Sequence, residues 1–268
     1  MNIIEHNFFR LLRAGAFNTA ETIEPLSAWK WNRLYQLAEM HDVAPVIYKG
    51  IERCRDQFLL QVPQPLIDEW QQATSHDDDD DNPLLTADHL TNPMLNHKLQ
   101  SILDDDHSNT ETRTLLLHLL GIARFIMNAG IPVKRVVQLG VFLRQTKGRI
   151  DYEKLQSWTQ SLQLSPMVQL AAIMLVKLLH FSADELPFME PINEERMNRQ
   201  IRDIFQQKNS HAEEWYFSQG KNIFVHTSNP SAMMWHVRRS ARNLRYYPSE
   251  TLTNFFTTFL HSLSHIEE

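Results

Sequence analysis

Apolar residues recur at intervals of three and four along most of this chain, and that spacing is the strongest constraint on its fold. Ile4, Phe8 and Leu11 follow it near the N-terminus, and Leu115 to Met127 is apolar nearly all round, as in a buried helix. Seven glycines in 268 residues are few for the many turns of a β-sandwich. The pattern predicts an all-α, bundle-like assembly of about a dozen helices. At most one short hairpin or strand remnant is expected, at Asn222 to Val225.

Capping residues predict where the helices begin and end. Asn2 with Glu5 forms a capping-box pattern at the start of the first helix, and Gly15 is predicted to end that helix. Capping side chains, or prolines suited to a first turn, predict the starts of most other helices. These residues are Ser27, Pro45, Pro65, Asn92, Asp151, Ser165, Ser182, Asn193, Pro230 and Pro248.

Two acidic breaks interrupt the helical pattern. Residues 74–88 are rich in His, Asp, Asn and Pro, and they contain Asp77 to Asp81, whose carboxylates repel one another in any compact arrangement. A second polar break follows Leu103. We therefore predict an N-terminal helical segment, residues 1–107, with an acidic loop at 74–88, and a C-terminal helical segment, residues 108–268. A single compact domain is the alternative.

The formal net charge of −6 comes from those breaks. Asp77–Asp81 and Asp104–Asp106 contribute eight negative charges, so the rest of the chain carries a net charge of +2. That balance lacks the basic footprint of a typical nucleic-acid-binding protein. The single cysteine, Cys54, excludes an intramolecular disulfide, and no apolar stretch reaches the roughly 20 residues that span a bilayer. We expect a cytoplasmic protein with no membrane span and no secretory signal.

Arg238, Arg242 and Arg245 form the strongest candidate binding feature. Their spacing of four and three residues places three guanidinium groups on one helix face. Such a face could hold a phosphate, another anion or a partner protein. The competing interpretation is a solvated surface that forms salt bridges with acidic neighbours.

Complete catalytic motifs are missing from the sequence. No two glycines are closer than eight residues, which excludes glycine-rich phosphate-binding loops, and no G-x-S-x-G elbow occurs. Aspartate carboxylates bind Mg²⁺, but consecutive aspartates on a flexible segment do not converge on one ion. His261 and His265 supply at most half of a metal-binding set. The motifs therefore predict no catalytic residues, no metal site and no cofactor.

Short segments along most of the chain share the helix-packing pattern of one protein family. They are Phe8–Gly15, Trp31–Ala38, Val43–Ile51, Pro63–Trp70, Leu115–His118, Gly130–Ile131, Val141–Leu143, Ile150–Leu155 and Tyr246–Glu250. In this order they resemble the helical flanks of an uncharacterised bacterial nucleotidyltransferase family. The resemblance implies a bacterial protein with a helical frame of the kind that carries a transferase core.

That core has no counterpart in this chain. The resemblance implies a Lys-Gly strand end and a Gly-Asp-x-Asp motif, whose carboxylates hold magnesium against a nucleoside triphosphate. Here the helix that ends at Leu103 is joined to the helix that starts near Leu115 by eleven residues, 104–114. Where the family has an Arg and an Asp in the middle helix pair, this chain has Lys134 and Gln138.

We therefore predict a catalytically defective, nucleotidyltransferase-like pseudoenzyme with a non-enzymatic binding or regulatory role. Its expected ligand is an anion or a partner protein bound at Arg238, Arg242 and Arg245. Two alternatives stay open. One is a minimal Mg-dependent nucleotidyltransferase that uses Asp104–Asp106, and the other is nucleic-acid binding through the same arginines.

Overall fold

The structure is a computed structural model, and it describes residues 2–57, 61–75, 89–105, 109–128, 133–205 and 246–253. The predicted fold class is confirmed, since these described residues are all-α and contain no strand. The helices are α1 Ile3–Phe17, α2 Ala28–Met40, α3 Ala44–Arg53, α4 Gln64–Ser75, α5 Pro93–Leu103, α6 Thr110–Asn128, α7 Val133–Gln145, α8 Tyr152–Ser161, α9 Ser165–Leu179 and α10 Glu194–Phe205. A 3-10 turn occupies Ala183–Glu185, and residues 248–253 are helical. Asn222 to Val225 and Pro230 lie outside the described residues.

Predicted capping residues begin several of these helices. At α1 the Asn2 side chain accepts a hydrogen bond from the Glu5 N–H at 3.0 Å, and the Glu5 carboxylate accepts one from the Asn2 N–H at 3.0 Å. Asn92 and Asp151 likewise accept backbone N–H bonds at the starts of α5 and α8. Ser27 occupies the N-cap position of α2 without a side-chain hydrogen bond. The side-chain bonds satisfy amides that have no partner inside their own helix, which is why the sequence pattern identifies these starts.

The prediction that Gly15 ends the first helix is wrong. α1 continues past Gly15 and ends at Phe17, and the C-cap residue Asn18 has a φ of 59°, the left-handed conformation common after a helix. Gly15 instead lies against α3, where an added Cβ atom would be 1.9 Å from the Val46 carbonyl oxygen. Gly50 of α3 is equally restricted, because its Cβ would be 2.1 Å from the Leu11 carbonyl oxygen. These two glycines allow the backbones of α1 and α3 to touch.

The chain divides into two compact units. Unit 1 comprises Met1–Asn82, Val133–Gln145 and Leu178–His180, and unit 2 comprises Pro83–Pro132, Thr146–Lys177 and Phe181–Glu268. Each unit therefore combines segments that are distant in sequence: α7 and the end of α9 belong with the N-terminal helices. The predicted boundary near residue 107 stays a prediction, and the aspartates at 77–81 lie outside the described residues.

Unit 1 is built on the crossing of α1 with α3, against which α2, α4 and α7 pack. Tyr35 and Trp70 meet edge to face with ring centroids 4.8 Å apart, and the Arg144 guanidinium lies 4.3 Å from the centre of the Phe17 ring. The core also contains fully buried apolar side chains. Among them are Leu11, Leu12, Trp31, Leu34 and Ile47.

Unit 2 is dominated by two apolar helices, α6 and α9. The first was predicted to be buried, and the apolar side chains of both are almost inaccessible to solvent. These include Leu115, Leu116, Leu119, Ile122, Leu170, Ile173 and Leu175. Each such side chain contributes about 1.5 to 3 kcal/mol of hydrophobic stabilisation. No helix among the described residues is both long and apolar enough to cross a membrane.

Candidate functional site

The arginines predicted to bind an anion, Arg238, Arg242 and Arg245, lie outside the described residues. The structure does describe residues 246–253, which follow them directly in the sequence. Tyr246 and Tyr247 are buried there. Residues 246–250, which are fixed by hydrogen bonds within unit 2, are called the anchor.

Tyr247 forms the centre of that anchor. Its side chain is fully buried, and its hydroxyl donates a hydrogen bond to the Leu162 carbonyl oxygen at 2.9 Å. Burial, assisted by the Glu250 carboxylate, raises the pKa of Tyr247 well above its usual range. The Ser249 hydroxyl donates to the Gln163 side-chain oxygen at 2.9 Å. These bonds attach residues 247–249 to the end of α8 in unit 2.

Glu250 completes the anchor at the start of α5. Its buried carboxylate accepts hydrogen bonds from the Thr91 N–H at 2.6 Å, the Asn92 N–H at 2.9 Å and the Thr91 hydroxyl at 2.9 Å. A negative charge is favourable here, because the N-terminus of a helix carries unpaired amides and a partial positive charge. Residues 247–250 thus bond to both the end of α8 and the start of α5.

The connector (residues 104–109) contains the aspartates considered as metal ligands. Asp104 is exposed at the end of α5, and the Asp105 carboxylate accepts a hydrogen bond from the Lys154 ammonium at 3.0 Å. Asp106 lies outside the described residues. Within the part of the chain that the structure describes, no three His, Cys, Asp or Glu side chains are grouped closely enough to hold a metal ion.

Hydrogen bonds join the helices on either side of the connector. The Arg113 guanidinium of α6 donates to the Leu103 carbonyl oxygen at the end of α5, at 3.0 Å. Asn109 caps α6 by accepting from the Glu111 and Thr112 N–H groups at 2.8 and 3.3 Å. The Asn109 side chain also donates to the Arg149 carbonyl oxygen at 2.7 Å. At the place where the family resemblance predicts a missing core, α5 and α6 are therefore joined directly.

Lys134, which the sequence resemblance matches with an arginine, has a local partner in unit 1. Its ammonium lies 2.6 Å from the carboxylate of Asp42 in the turn between α2 and α3. Both side chains are substantially exposed, so this ion pair contributes little to stability. The pair joins α7 to the α2–α3 turn within unit 1.

A second polar site, in unit 1, was missed by the sequence reasoning. The strap (residues 18–27) connects α1 to α2, and the Arg13 guanidinium holds its Glu21 carboxylate through two hydrogen bonds of 2.7 and 3.1 Å. Arg10 pairs with Glu24 at 2.7 Å. Arg13 is 6% exposed and donates a further bond to the Leu178 carbonyl oxygen at 3.1 Å. The available signal was a charged residue four positions after Phe9, where the helical pattern calls for an apolar side chain.

Two further side chains of this site have perturbed pKa values. Partial burial and the neighbouring Arg13 guanidinium hold the pKa of His180 below its usual range. Burial raises the pKa of the Cys54 thiol, which donates to the Glu21 carbonyl oxygen at 3.7 Å. A buried, protonated thiol is a poor nucleophile, so Cys54 serves packing here.

No known protein family, curated protein or solved structure matches the chain. The resemblance to nucleotidyltransferases therefore rests on the sequence segments named above. A function has to be argued from the residues themselves.

Proposed function

We propose that this chain is a non-catalytic, nucleotidyltransferase-like protein that binds an anionic ligand through Arg238, Arg242 and Arg245. The observation that carries the proposal is the set of bonds made by the described residues around the connector. Asp105 pairs with Lys154 there, and α5 and α6 are joined by a hydrogen bond from Arg113. Asp105, one of the three aspartates considered as metal ligands, is thus engaged in an ion pair.

The requirements of nucleotidyl transfer support this interpretation. The reaction uses carboxylates fixed on a rigid element so that two metal ions sit about 3.5 to 4 Å apart. At the connector, an ammonium group already neutralises the Asp105 carboxylate, and Asp104 faces solvent at a helix end. Neither arrangement is suited to a two-metal site.

The anchor supports a binding role for the arginines. Tyr247 and Glu250 follow Arg245 by two and five residues, and both are fixed to unit 2 by buried hydrogen bonds. A binding surface loses less conformational entropy when its neighbouring backbone is already ordered. Three guanidinium groups beside such an anchor suit a ligand with several negatively charged oxygens.

Titration with inorganic tripolyphosphate, followed by calorimetry, tests the proposal. We expect saturable binding that is weakened at least about 10-fold in the R238A/R242A/R245A variant, because each lost guanidinium removes charge-assisted hydrogen bonds. The matched control is R196A/R199A, which removes two exposed arginines of α10 and should leave the affinity unchanged. Absence of binding by the wild-type chain, or equal affinity in the triple variant, would contradict the proposal.

Thermal melting separates the two alternative functions. A rise in Tm with a nucleoside triphosphate that needs Mg²⁺, and that disappears in D104N/D105N/D106N, would favour the minimal transferase instead. Binding of duplex DNA with a steep dependence on salt concentration would favour nucleic-acid binding through the arginines. We expect neither result.

A further inference from the structure

The side chains that hold the strap recognise its backbone as well as its charges. The clamp (Asn7, Arg10, Arg13 and Gln57) includes two amides, and each contacts both a backbone donor and a backbone acceptor. Asn7 donates to the Glu24 carbonyl oxygen at 2.8 Å and accepts from the Glu24 N–H at 3.1 Å. Gln57 accepts from the Ile23 N–H at 2.9 Å and donates to the Glu21 carbonyl oxygen. Main-chain hydrogen bonding of this kind gives affinity for a peptide whatever its side chains are.

The remaining contacts add sequence specificity. Arg13 binds the Glu21 carboxylate in a bidentate manner, and Arg10 binds the carboxylate of Glu24, three residues further on. Ile23 lies between them and is 3% exposed. The two arginines select the two glutamates, and the buried position between them selects isoleucine. Together with the two amides that bind the backbone, they define the pattern Glu-x-Ile-Glu.

We infer that the clamp is a recognition site for an acidic, non-helical segment of a partner protein with this pattern, and that the chain's own residues 21–24 occupy the site in the free protein. Charge complementarity identifies the occupant, because the clamp presents two guanidinium groups to two carboxylates. The strap is tethered at both ends, so its effective concentration at the clamp is high and a partner has to displace it. This site lies in unit 1 and does not depend on the proposed role of the arginines near residue 240.

Fluorescence anisotropy with a labelled copy of the strap tests the inference. The probe is a peptide with the sequence of residues 18–27, NTAETIEPLS, and the protein is the full chain. The E21Q/E24Q variant weakens the chain's own strap while leaving every clamp residue unchanged. We expect this variant to bind the probe at least about 10-fold more tightly than the wild-type protein does, because the tethered competitor is weakened.

Two controls separate specific recognition from general exposure of the strap region. A probe in which both glutamates are glutamines should lose most of the affinity, and adding Arg10→Ala to E21Q/E24Q should do the same. If E21Q/E24Q keeps the wild-type circular dichroism spectrum and binds the probe no more tightly than the wild-type protein, the inference is wrong. Should the double variant fail to fold, Glu24→Gln alone takes its place, since this side chain is 43% exposed. A folded Glu24→Gln protein with no gain in affinity overturns the inference equally.

Discussion

Unit 1 and unit 2 each secure a non-helical link with an ion pair, but the two pairs lie at very different depths. In unit 1 the side chains of Arg13 and Glu21, which hold the strap, are 7% and 17% exposed. In unit 2 the side chains of Lys154 and Asp105, which hold the connector, are 31% and 35% exposed. A buried charge depends on its partner, whereas water can replace the partner of an exposed charge. The strap should therefore tolerate little substitution and the connector much more.

Backbone packing shows the same contrast and gives the largest expected effect. Gly50→Ala should lower the free energy of unfolding by about 3 kcal/mol or more, since the new Cβ meets the Leu11 carbonyl oxygen and the α1–α3 crossing has to open. Gly148→Ala in unit 2 should cost about 1 kcal/mol, because its φ of 79° is the only obstacle and no atom lies within 4 Å of the new Cβ. Urea denaturation measures both values. Equal losses of stability in the two variants would contradict the proposed difference between the units.

The ion pairs themselves provide the second test. Arg13→Met should lower the free energy of unfolding by about 3 kcal/mol, because it leaves the largely buried Glu21 carboxylate without its guanidinium partner. Lys154→Met should cost less than about 1 kcal/mol. In addition, R13M/E21M should recover much of the loss, as no buried charge then remains unpaired. Urea denaturation of the wild type and these three variants measures the losses. If Lys154→Met destabilises the protein as much as Arg13→Met does, the two ion pairs do not differ in depth as described.

Tyr247→Phe probes the deepest polar contact described in unit 2. Loss of the hydroxyl leaves the Leu162 carbonyl oxygen unpaired and should cost about 1 kcal/mol at neutral pH. The raised pKa of Tyr247 adds a pH dependence. Above about pH 10 the unfolded chain releases this proton while the folded chain keeps it, so stability falls as the pH rises. The variant should therefore lose less stability than the wild type between neutral pH and pH 11; parallel pH profiles would contradict the prediction.

His180→Asn should have the smallest effect. The lowered pKa of His180 means that the unfolded chain takes up a proton near pH 6.5 before the folded chain does, so stability decreases as the pH falls below that value. Asparagine removes this titration and tolerates the left-handed φ of 56° at this position. Tm measured between pH 5 and pH 8 should show a shallower slope for the variant, and an unchanged slope would rule out His180 as the cause.

The helix starts could be predicted from the sequence because their causes are local. Asn2 and Glu5 satisfy each other's backbone amides within a single turn, so no knowledge of the rest of the chain was needed. Gly15 was misassigned because its reason for being glycine is the Val46 carbonyl oxygen, 31 positions away, and the pattern of a helix end looks the same in sequence. Local rules identify caps, and they cannot identify contacts that the fold creates.

The same limit separates the two polar sites. Tyr246–Glu250 was recognised as a segment with a packing pattern, but its bonds to Leu162 and Thr91 could not be inferred from spacing. Arg13 was visible as a charge on an apolar helix face, yet nothing in the sequence pairs it with Glu21 rather than with another carboxylate. Partner choice is decided by the tertiary fold, so the sequence predicted which elements form and left their polar partners open.

The hydrogen-bond partners of the Glu250 carboxylate are synthesised well before Glu250 itself. This carboxylate accepts hydrogen bonds from the N–H groups of Thr91 and Asn92, which precede Glu250 by 159 and 158 residues. At ordinary rates of translation, α5 emerges about 10 to 30 s before the carboxylate that completes its N-terminus. During that interval the Thr91 and Asn92 N–H groups, which lie just before α5, bond to water instead. A nascent chain that stops short of residue 250 therefore lacks the carboxylate that binds these two N–H groups in the folded protein.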